Sequence, residues 1–236
     1  QSATRHGHQT SNAGGDNHIA VLVGDYFVST ALQLVISTAD LRAINTIASL
    51  GRLLSTGEMD QIHRAASHTI SEQSYFQIIS HKTASLFVAC VEMGAYAAEA
   101  SPAQLDIMRE FAELFGQCFQ IQDDIFDYIS SASTLGKPVG NDLREGKITL
   151  PLIYALSRTD MPECAAMNEL ANNASLSDVE IDTLIDYTIR AGGIDYARAT
   201  LSRLRAQAAD ILSDLGQGFD TAPLLSLLDY IISRDN

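Results

Sequence analysis

The chain has 236 residues, enough for one large domain and for a core that needs no disulfide or metal. Its 15 basic against 29 acidic residues give a formal net charge of −14, which argues against nucleic acid as a partner and against a polybasic membrane patch. A hydrophobic content of 46% excludes a disordered chain. Cys90, Cys118 and Cys164 are odd in number and far apart, so we interpret them as reduced core thiols of a cytoplasmic protein.

The first eighteen residues are polar and rich in glycine, without an initiator methionine or an apolar signal region. We therefore expect further residues to precede them in the natural protein. The stretch from Ile19 to Ile36 is apolar and too long for a strand, which predicts a helix. Asp25 and Gln33 interrupt it, so we expect no transmembrane segment. A second helical stretch runs from about Leu41 to Ile62.

The rest of the chain is also predicted to be helical. Ser71 is the expected N-cap of a long apolar helix, and Ser101 with Gln104 marks the start of another that runs to about Tyr128. Residues 133–147 carry Gly and Pro at turn spacing and are predicted to form a loop. Further helices are expected from Pro151, after a Ser177–Glu180 capping box, from Ile194 to Leu215 and from Ala222 to Ser233. The prediction is an all-α protein with a single domain.

The passage that suggests chemistry is FQIQDDIFDY, residues 119–128. On a helix, the spacing of Asp123, Asp124 and Asp127 brings three carboxylates to one side, where like charges destabilise the helix. The position near the expected C-terminal end makes this worse, because the helix dipole disfavours negative charge there. Such a cluster suggests Mg²⁺ held by carboxylates together with substrate phosphates. A solvated acidic surface is an equally good reading of the three acids alone.

Basic residues follow this cluster closely. Lys137 and Lys147 each come directly after a glycine, which lets the backbone approach a ligand. They could bind the phosphate oxygens that the metal also binds, or they could simply neutralise the aspartates. Lys82 and Thr83 lie within an apolar helix, where a lysine can merely snorkel to the surface. Gln120 shares a helix side with Asp123 and could bind a ligand or face solvent.

Taken together, these residues resemble the trans-isoprenyl diphosphate synthases of the polyprenyl synthetase family, of the octaprenyl, farnesyl and geranylgeranyl type. FQIQDDIFD is similar to the family's second aspartate-rich motif, and residues 136–147 are similar to the segment that follows it. LPLIYAL resembles the next helix, and IAVLVGDYF resembles an earlier family stretch. Lys82-Thr83 matches the family's KT pair, and Arg5-His6-Gly7 aligns with its RRG.

The resemblance implies a single-domain bundle of long helices around a central cavity. The implied reaction joins isopentenyl diphosphate to an allylic diphosphate, with Mg²⁺-assisted ionisation, to give an all-trans polyprenyl diphosphate. By resemblance, Asp123, Asp124 and Asp127 would bind the metal. Lys82, Lys137, Lys147 and Arg5 would bind diphosphate, and Thr83 and Gln120 would act near the developing cation. A homodimer through the apolar helices between Tyr26 and Ile62 is also implied.

Two departures from the family pattern keep an alternative open. The sequence 1–236 contains no first DDxxD motif and none of the helices that precede it in the family, which we expect to belong to a longer protein. His6 stands where the family has a second arginine. The alternative is a non-catalytic or regulatory subunit of a heteromeric prenyl diphosphate synthase. A terpene cyclase fits less well, because the KT pair and the lysine-containing loop count against it.

Overall fold

The computed structural model describes residues 4–5, 8–9, 17–67, 71–129, 139–173, 175–216 and 218–234. Two-residue strands β1 (Thr4–Arg5) and β2 (His8–Gln9) form an antiparallel pair. The other regular elements of the described ranges are helices. They are α1 (Asn17–Ser37), α2 (Leu41–Ser67), α3 (Glu72–Ile79), a π-helical turn (Ser80–Ala84), α4 (Ser85–Ala97), α5 (Pro102–Ile129), α6 (Asn141–Arg144), α7 (Leu150–Leu156), α8 (Cys164–Ala171), α9 (Asp178–Arg190), α10 (Gly193–Ser213) and α11 (Ala222–Ser233).

Helix α5 is the central element of the bundle. It packs against α4 on one side and against α10 and α11 on another, and α3, α7 and the π-helical turn also touch it. Its buried residues include Phe111, Phe115, Ile121 and Ile125, which repeat at helical spacing. The aspartate cluster therefore lies near the C-terminal end of the central helix of the bundle.

The π-helical turn lies between two close helices, and glycines make this approach possible. A Cβ atom at Gly116 of α5 would overlap the Ala84 Cα atom and lie 2.7 Å from the Ala84 Cβ atom. A Cβ atom at Gly57 of α2 would lie 2.9 Å from the His81 Cβ atom. Because a single π-helical turn inside a helix often marks a functional position, this turn and its residues Lys82 and Thr83 are of special interest.

Helix α1 is exposed along most of its length, and its main contact among the described elements is with α2. Large apolar side chains such as Leu22, Phe27 and Leu34 are each more than 60% exposed. Within the described part of the chain, His18–Ser37 is the one stretch that could cross a membrane on length and composition alone, and none of it is buried. The expectation of no transmembrane segment therefore rests on the interruptions at Asp25 and Gln33.

Several expected boundaries are confirmed. Ser71 caps α3, Ser177 and Glu180 form a capping box at α9, and the Ser101 and Gln104 side chains bond each other's backbone N–H groups. The expected long helix after Ser71 is instead divided by the π-helical turn and ends at Ala97. The predicted loop contains the short helix α6 in its described part, residues 139–147.

The thiol prediction is partly wrong. All three cysteines are free, and Cys118 and Cys164 are buried as expected. Burial raises the pKa of the Cys118 thiol to about 12, as expected for an inert core residue. Cys90 is exposed instead, because it lies on the outer side of α4.

Candidate active site

A cavity of about 420 Å³ lies where the π-helical turn, the end of α5 and the segment 141–149 meet. Six of the nine predicted site residues line it, namely Lys82, Thr83, Gln120, Asp123, Asp124 and Lys147. Residues far apart in the sequence therefore meet in one polar cavity, which favours a ligand site over a solvated surface.

The Lys82 ammonium group is held at the cavity by α2. Its Nζ atom lies 2.6 Å from the Glu58 carboxylate and donates a hydrogen bond of 2.6 Å to the Gln61 side-chain oxygen. Glu58 and Gln61 are three residues apart, so both face the same side of α2. An ammonium group has three donors. The described residues accept from two of them, which leaves one for a ligand.

Thr83 and Gln120 belong to a chain of hydrogen bonds that ends on Asp124. The Thr83 hydroxyl donates to the Gln120 side-chain oxygen at 2.7 Å, and the Gln120 amide donates to Asp124 Oδ1 at 2.8 Å. The Tyr75 hydroxyl donates to Asp124 Oδ2 at 2.6 Å. Each oxygen of this carboxylate thus accepts a hydrogen bond from one protein donor.

Asp124 is almost completely buried, with 2% of its surface exposed. Burial, followed by the nearby negative charge of Asp142, raises the pKa of its carboxyl group well above the usual range. Burial is also the main cause of the raised pKa of the Tyr75 hydroxyl. Asp142 and Asp123 thus add negative charge around a carboxyl group whose pKa is raised mainly by burial.

Asp127 does not line the cavity, so the structure does not bring all three predicted aspartates together there. Its carboxylate accepts hydrogen bonds from the backbone N–H groups of Asn141 at 3.0 Å and Asp142 at 2.9 Å. These are the free donors at the start of α6, so the carboxylate anchors the segment that returns to the cavity. The backbone carbonyl of Asp127 also accepts from Gly140 N–H.

Asp142 is a cavity residue that the sequence reasoning missed. In the sequence it stands between Lys137 and Lys147, and its Oδ1 atom accepts a hydrogen bond of 3.1 Å from Lys147 Nζ. Glu145 lies 2.6 Å from the same ammonium group. Burial lowers the pKa of Lys147, but the contacts with Glu145 and Asp142 outweigh it, so the net pKa is raised and the charge is retained.

Asp123 has the most accessible carboxylate of the predicted cluster, with a side chain that is 62% exposed. Arg234, at the end of α11, places Nη2 3.7 Å from Asp123 Oδ1. No local signal in the sequence pointed to Arg234, whereas Asp142 could have been found as an acid between two predicted phosphate lysines. The side chain of Arg5 and the whole of Lys137 lie outside the described residues, so their roles stay predictions.

Comparison with known proteins identifies the family. Residues 1–188 match the family model described as Polyprenyl synthetase. The chain belongs to the polyprenyl synthetase family. It is 30% identical to an octaprenyl diphosphate synthase of Haemophilus influenzae over 235 residues, covering 100% of this chain and 71% of that protein. It is 32% identical to a nonaprenyl diphosphate synthase of Mycobacterium tuberculosis, covering 99% of this chain and 69% of the relative.

Solved structures of the family share the fold. A polyprenyl synthase from Caulobacter crescentus, determined with calcium and isoprenyl diphosphate, has a TM-score of 0.90 and 30% identity, covering 100% of this chain and 72% of that one. A geranylgeranyl pyrophosphate synthase from Bacteroides thetaiotaomicron has a TM-score of 0.83 and 38% identity, covering 92% and 72%. The expected all-α fold and the expected family are both confirmed.

Proposed function

We propose that this prenyltransferase condenses isopentenyl diphosphate with an allylic diphosphate to give an all-trans polyprenyl diphosphate, with Mg²⁺ assisting ionisation. The observation that carries the proposal is the single cavity in which Asp123, Lys82 and Lys147 meet. Relatives named as octaprenyl and nonaprenyl diphosphate synthases support the same reaction. A cavity equipped with both acids and lysines favours the enzyme over the non-catalytic subunit, for which neither group is needed.

The residues present fit a divalent cation that is shared with a diphosphate. Within the described ranges, no group of three or more Asp, Glu, His or Cys side chains is placed to hold a metal by itself. Mg²⁺ is commonly bound by one or two carboxylates, with water and substrate phosphate oxygens completing six ligands. Asp123 would supply the accessible carboxylate, and Asp142 lines the same cavity. The Caulobacter relative was solved with the same pairing of a divalent cation and a diphosphate.

The metal would bind the leaving diphosphate and stabilise the charge that develops on it. The residues of this chain add fixed cations to that task. Lys82, held by α2, and Lys147, held by Asp142, both line the cavity and would donate to the phosphate oxygens. Such pre-positioned cations lower the barrier because they need no reorganisation when the C–O bond breaks.

The developing carbocation would lie next to Thr83 and Gln120, whose hydrogen bond orients the glutamine oxygen. The Asp124 carboxylate fixes the glutamine amide from its other end. We infer that Asp124 positions Gln120 and that Asp123 is the residue in direct contact with the metal. Asp127 would act by holding the segment that carries Asp142 and Lys147.

We also propose a homodimer through α1 and α2. Helix α1 exposes many large apolar side chains along its length, and patches of this kind mark interaction surfaces. The free thiols fit the predicted cytoplasmic location. Light scattering coupled to size-exclusion chromatography should give twice the chain mass, and replacement of the exposed Phe27 by aspartate should give the single mass. A monomer in the unaltered protein would contradict the dimer.

The decisive test of function is a product assay. We expect the full-length protein, incubated with farnesyl diphosphate, labelled isopentenyl diphosphate and Mg²⁺, to form a labelled chain longer than fifteen carbons. Omission of Mg²⁺ with added EDTA should abolish the product. Failure to consume isopentenyl diphosphate with geranyl, farnesyl or geranylgeranyl diphosphate would contradict the proposal.

A further inference from the structure

Glu145 lines the cavity, and the proposed reaction leaves its carboxylate without a task. The residue follows α6 directly, and 41% of its side chain is exposed. Its Oε2 atom lies 2.6 Å from Lys147 Nζ. Its Oε1 atom accepts a hydrogen bond of 3.3 Å from the Asn141 side-chain amide. Among the described residues, the carboxylate is therefore bound closely to the lysine and only loosely to one other group.

The ammonium group of Lys147 is shared between two carboxylates. Glu145 makes the shorter contact, and Asp142 Oδ1 accepts the second hydrogen bond at 3.1 Å. Burial lowers the pKa of Lys147, and the hydrogen bond with Glu145 is the largest of the contacts that raise it. Of the three donors of an ammonium group, one is left for a ligand. An anion that uses this donor comes close to the Glu145 carboxylate, because acceptors on one nitrogen atom lie near each other.

The cavity lining has more acids than bases. Of the described side chains that line it, two are lysines and four carry a carboxyl group, namely Asp123, Asp124, Asp142 and Glu145. A diphosphate is itself anionic, so each carboxylate that no cation neutralises repels it. The proposed function uses Asp123 for the metal and Asp124 to position Gln120. The charge of Glu145 instead opposes diphosphate binding at the lysine that attracts it.

We propose that Glu145 is a displaceable counter-ion of Lys147. Its carboxylate holds the ammonium group at the cavity before a diphosphate binds, and it gives up its place on that group to a phosphate oxygen. Once pyrophosphate has formed, the carboxylate competes for the ammonium group again, so Glu145 weakens the retention of this product. The inference rests on the proposed function, since it takes the diphosphate to bind Lys147.

The direction of the effect distinguishes this role from a purely structural one. If Glu145 competes with phosphate oxygens, a neutral replacement frees the ammonium group and removes a repulsion, so pyrophosphate binds more tightly. If Glu145 only orients Lys147, loss of the ion pair leaves the ammonium group less well placed, so pyrophosphate binds more weakly.

The experiment measures pyrophosphate binding to the full-length protein at saturating Mg²⁺ by titration calorimetry. Glu145→Gln keeps the size of the side chain and one acceptor oxygen but removes the charge. Glu163→Gln is the matched control, because Glu163 is 44% exposed, pairs with Arg190 at 3.2 Å and does not line the cavity. The same replacement of Glu145 is also made in the Lys147→Gln protein, which tests whether its effect acts through the lysine.

For Glu145→Gln we expect pyrophosphate to bind about threefold to tenfold more tightly, because one negative charge beside the ligand is removed. Inhibition of turnover by added pyrophosphate should strengthen by the same factor. In the Lys147→Gln protein the replacement of Glu145 should change the affinity less than about twofold, because no ammonium group is left to compete for. Glu163→Gln should bind pyrophosphate as the unaltered protein does.

Unchanged or weaker pyrophosphate binding by Glu145→Gln would overturn the inference while the proposed function stands. An equal gain in Glu163→Gln or in the Lys147→Gln protein would also overturn it, because the effect would then not depend on the ion pair. A Glu145→Gln protein that does not fold would show that this residue holds the fold, and it too would contradict the proposed role. Failure of the unaltered protein itself to bind pyrophosphate with Mg²⁺ would overturn the proposed function, and this inference with it.

Discussion

Replacement of Gly116 by alanine tests whether close helix packing positions Lys82, which we propose binds the diphosphate. Gly116 lies at the point where α5 touches the π-helical turn that carries Lys82. The added methyl group would overlap the Ala84 Cα atom and lie 2.7 Å from the Ala84 Cβ and 3.1 Å from a Phe87 ring carbon. Because the nearest of these atoms belongs to the backbone, it cannot move aside by a side-chain rotation.

The expected cost follows from two opposing contributions. Overpacking of a tight contact destabilises by about 1–3 kcal/mol, and a backbone clash belongs at the upper end of that range. Alanine in place of glycine inside a helix stabilises by about 1 kcal/mol. The net loss is about 2 kcal/mol, which lowers Tm by about 4–8 °C for a chain of this size.

The assay is thermal unfolding followed by circular dichroism, together with the KM for the allylic diphosphate. Gly94→Ala is the matched control, because Gly94 lies inside α4 and an added Cβ atom there meets nothing within 4 Å. That variant should raise Tm by about 1–4 °C and leave KM unchanged. A Tm for Gly116→Ala equal to or above that of the unaltered protein would refute the packing argument. If Tm falls but KM is unchanged, the contact at Gly116 stabilises the fold without positioning Lys82.

Four further variants probe the cavity and the segment that Asp127 anchors beside it. Asp123→Ala and Lys82→Ala should each reduce turnover at least about a hundredfold while the circular dichroism spectrum stays unchanged, because each removes charge stabilisation from the leaving group; normal rates would contradict the assigned roles. Asp127→Asn keeps one acceptor oxygen and should lower stability by about 1 kcal/mol, seen as a Tm lower by about 2–4 °C; an unchanged Tm would contradict the capping role. Burial raises the pKa of Asp124 above its unfolded value of 3.8, so its contribution to stability is present below about pH 4 and is lost as the pH rises towards the folded pKa. In EDTA, the Tm of Asp124→Asn should fall less than that of the unaltered protein as the pH rises above 4. A Tm that falls equally in both proteins would argue against this contribution of Asp124.

The helix boundaries that local chemistry decides could be predicted from the sequence. Ser177 and Glu180 satisfy each other's backbone donors within one turn, so the start of α9 follows from four residues. Gly192 adopts the left-handed conformation between α9 and α10, as expected for a glycine at a helix end. The family motifs likewise depend on short spacings, and they identified six residues that line the cavity.

Features that depend on distant partners could not be predicted. The π-helical turn has no proline or glycine of its own, and it is enclosed by Gly57 and Gly116 of two other helices. The spacing of Asp127 suggested metal binding, but its carboxylate oxygens accept hydrogen bonds from the backbone N–H groups of Asn141 and Asp142, which follow the 130–138 segment in the chain. The Arg234 backbone carbonyl accepts a hydrogen bond from Gln122 of α5, which is 112 residues earlier in the chain, and no periodic sequence pattern predicts such a contact.

The measurement that tests the central claim most directly is a crystal structure of the protein soaked with Mg²⁺ and a bisphosphonate, a stable analogue of diphosphate. We expect a metal ion on the Asp123 carboxylate and phosphonate oxygens within hydrogen-bonding distance of Lys82 and Lys147. A cavity without the analogue, with Asp123 facing solvent and Lys82 still bound only to Glu58 and Gln61, would contradict the claim.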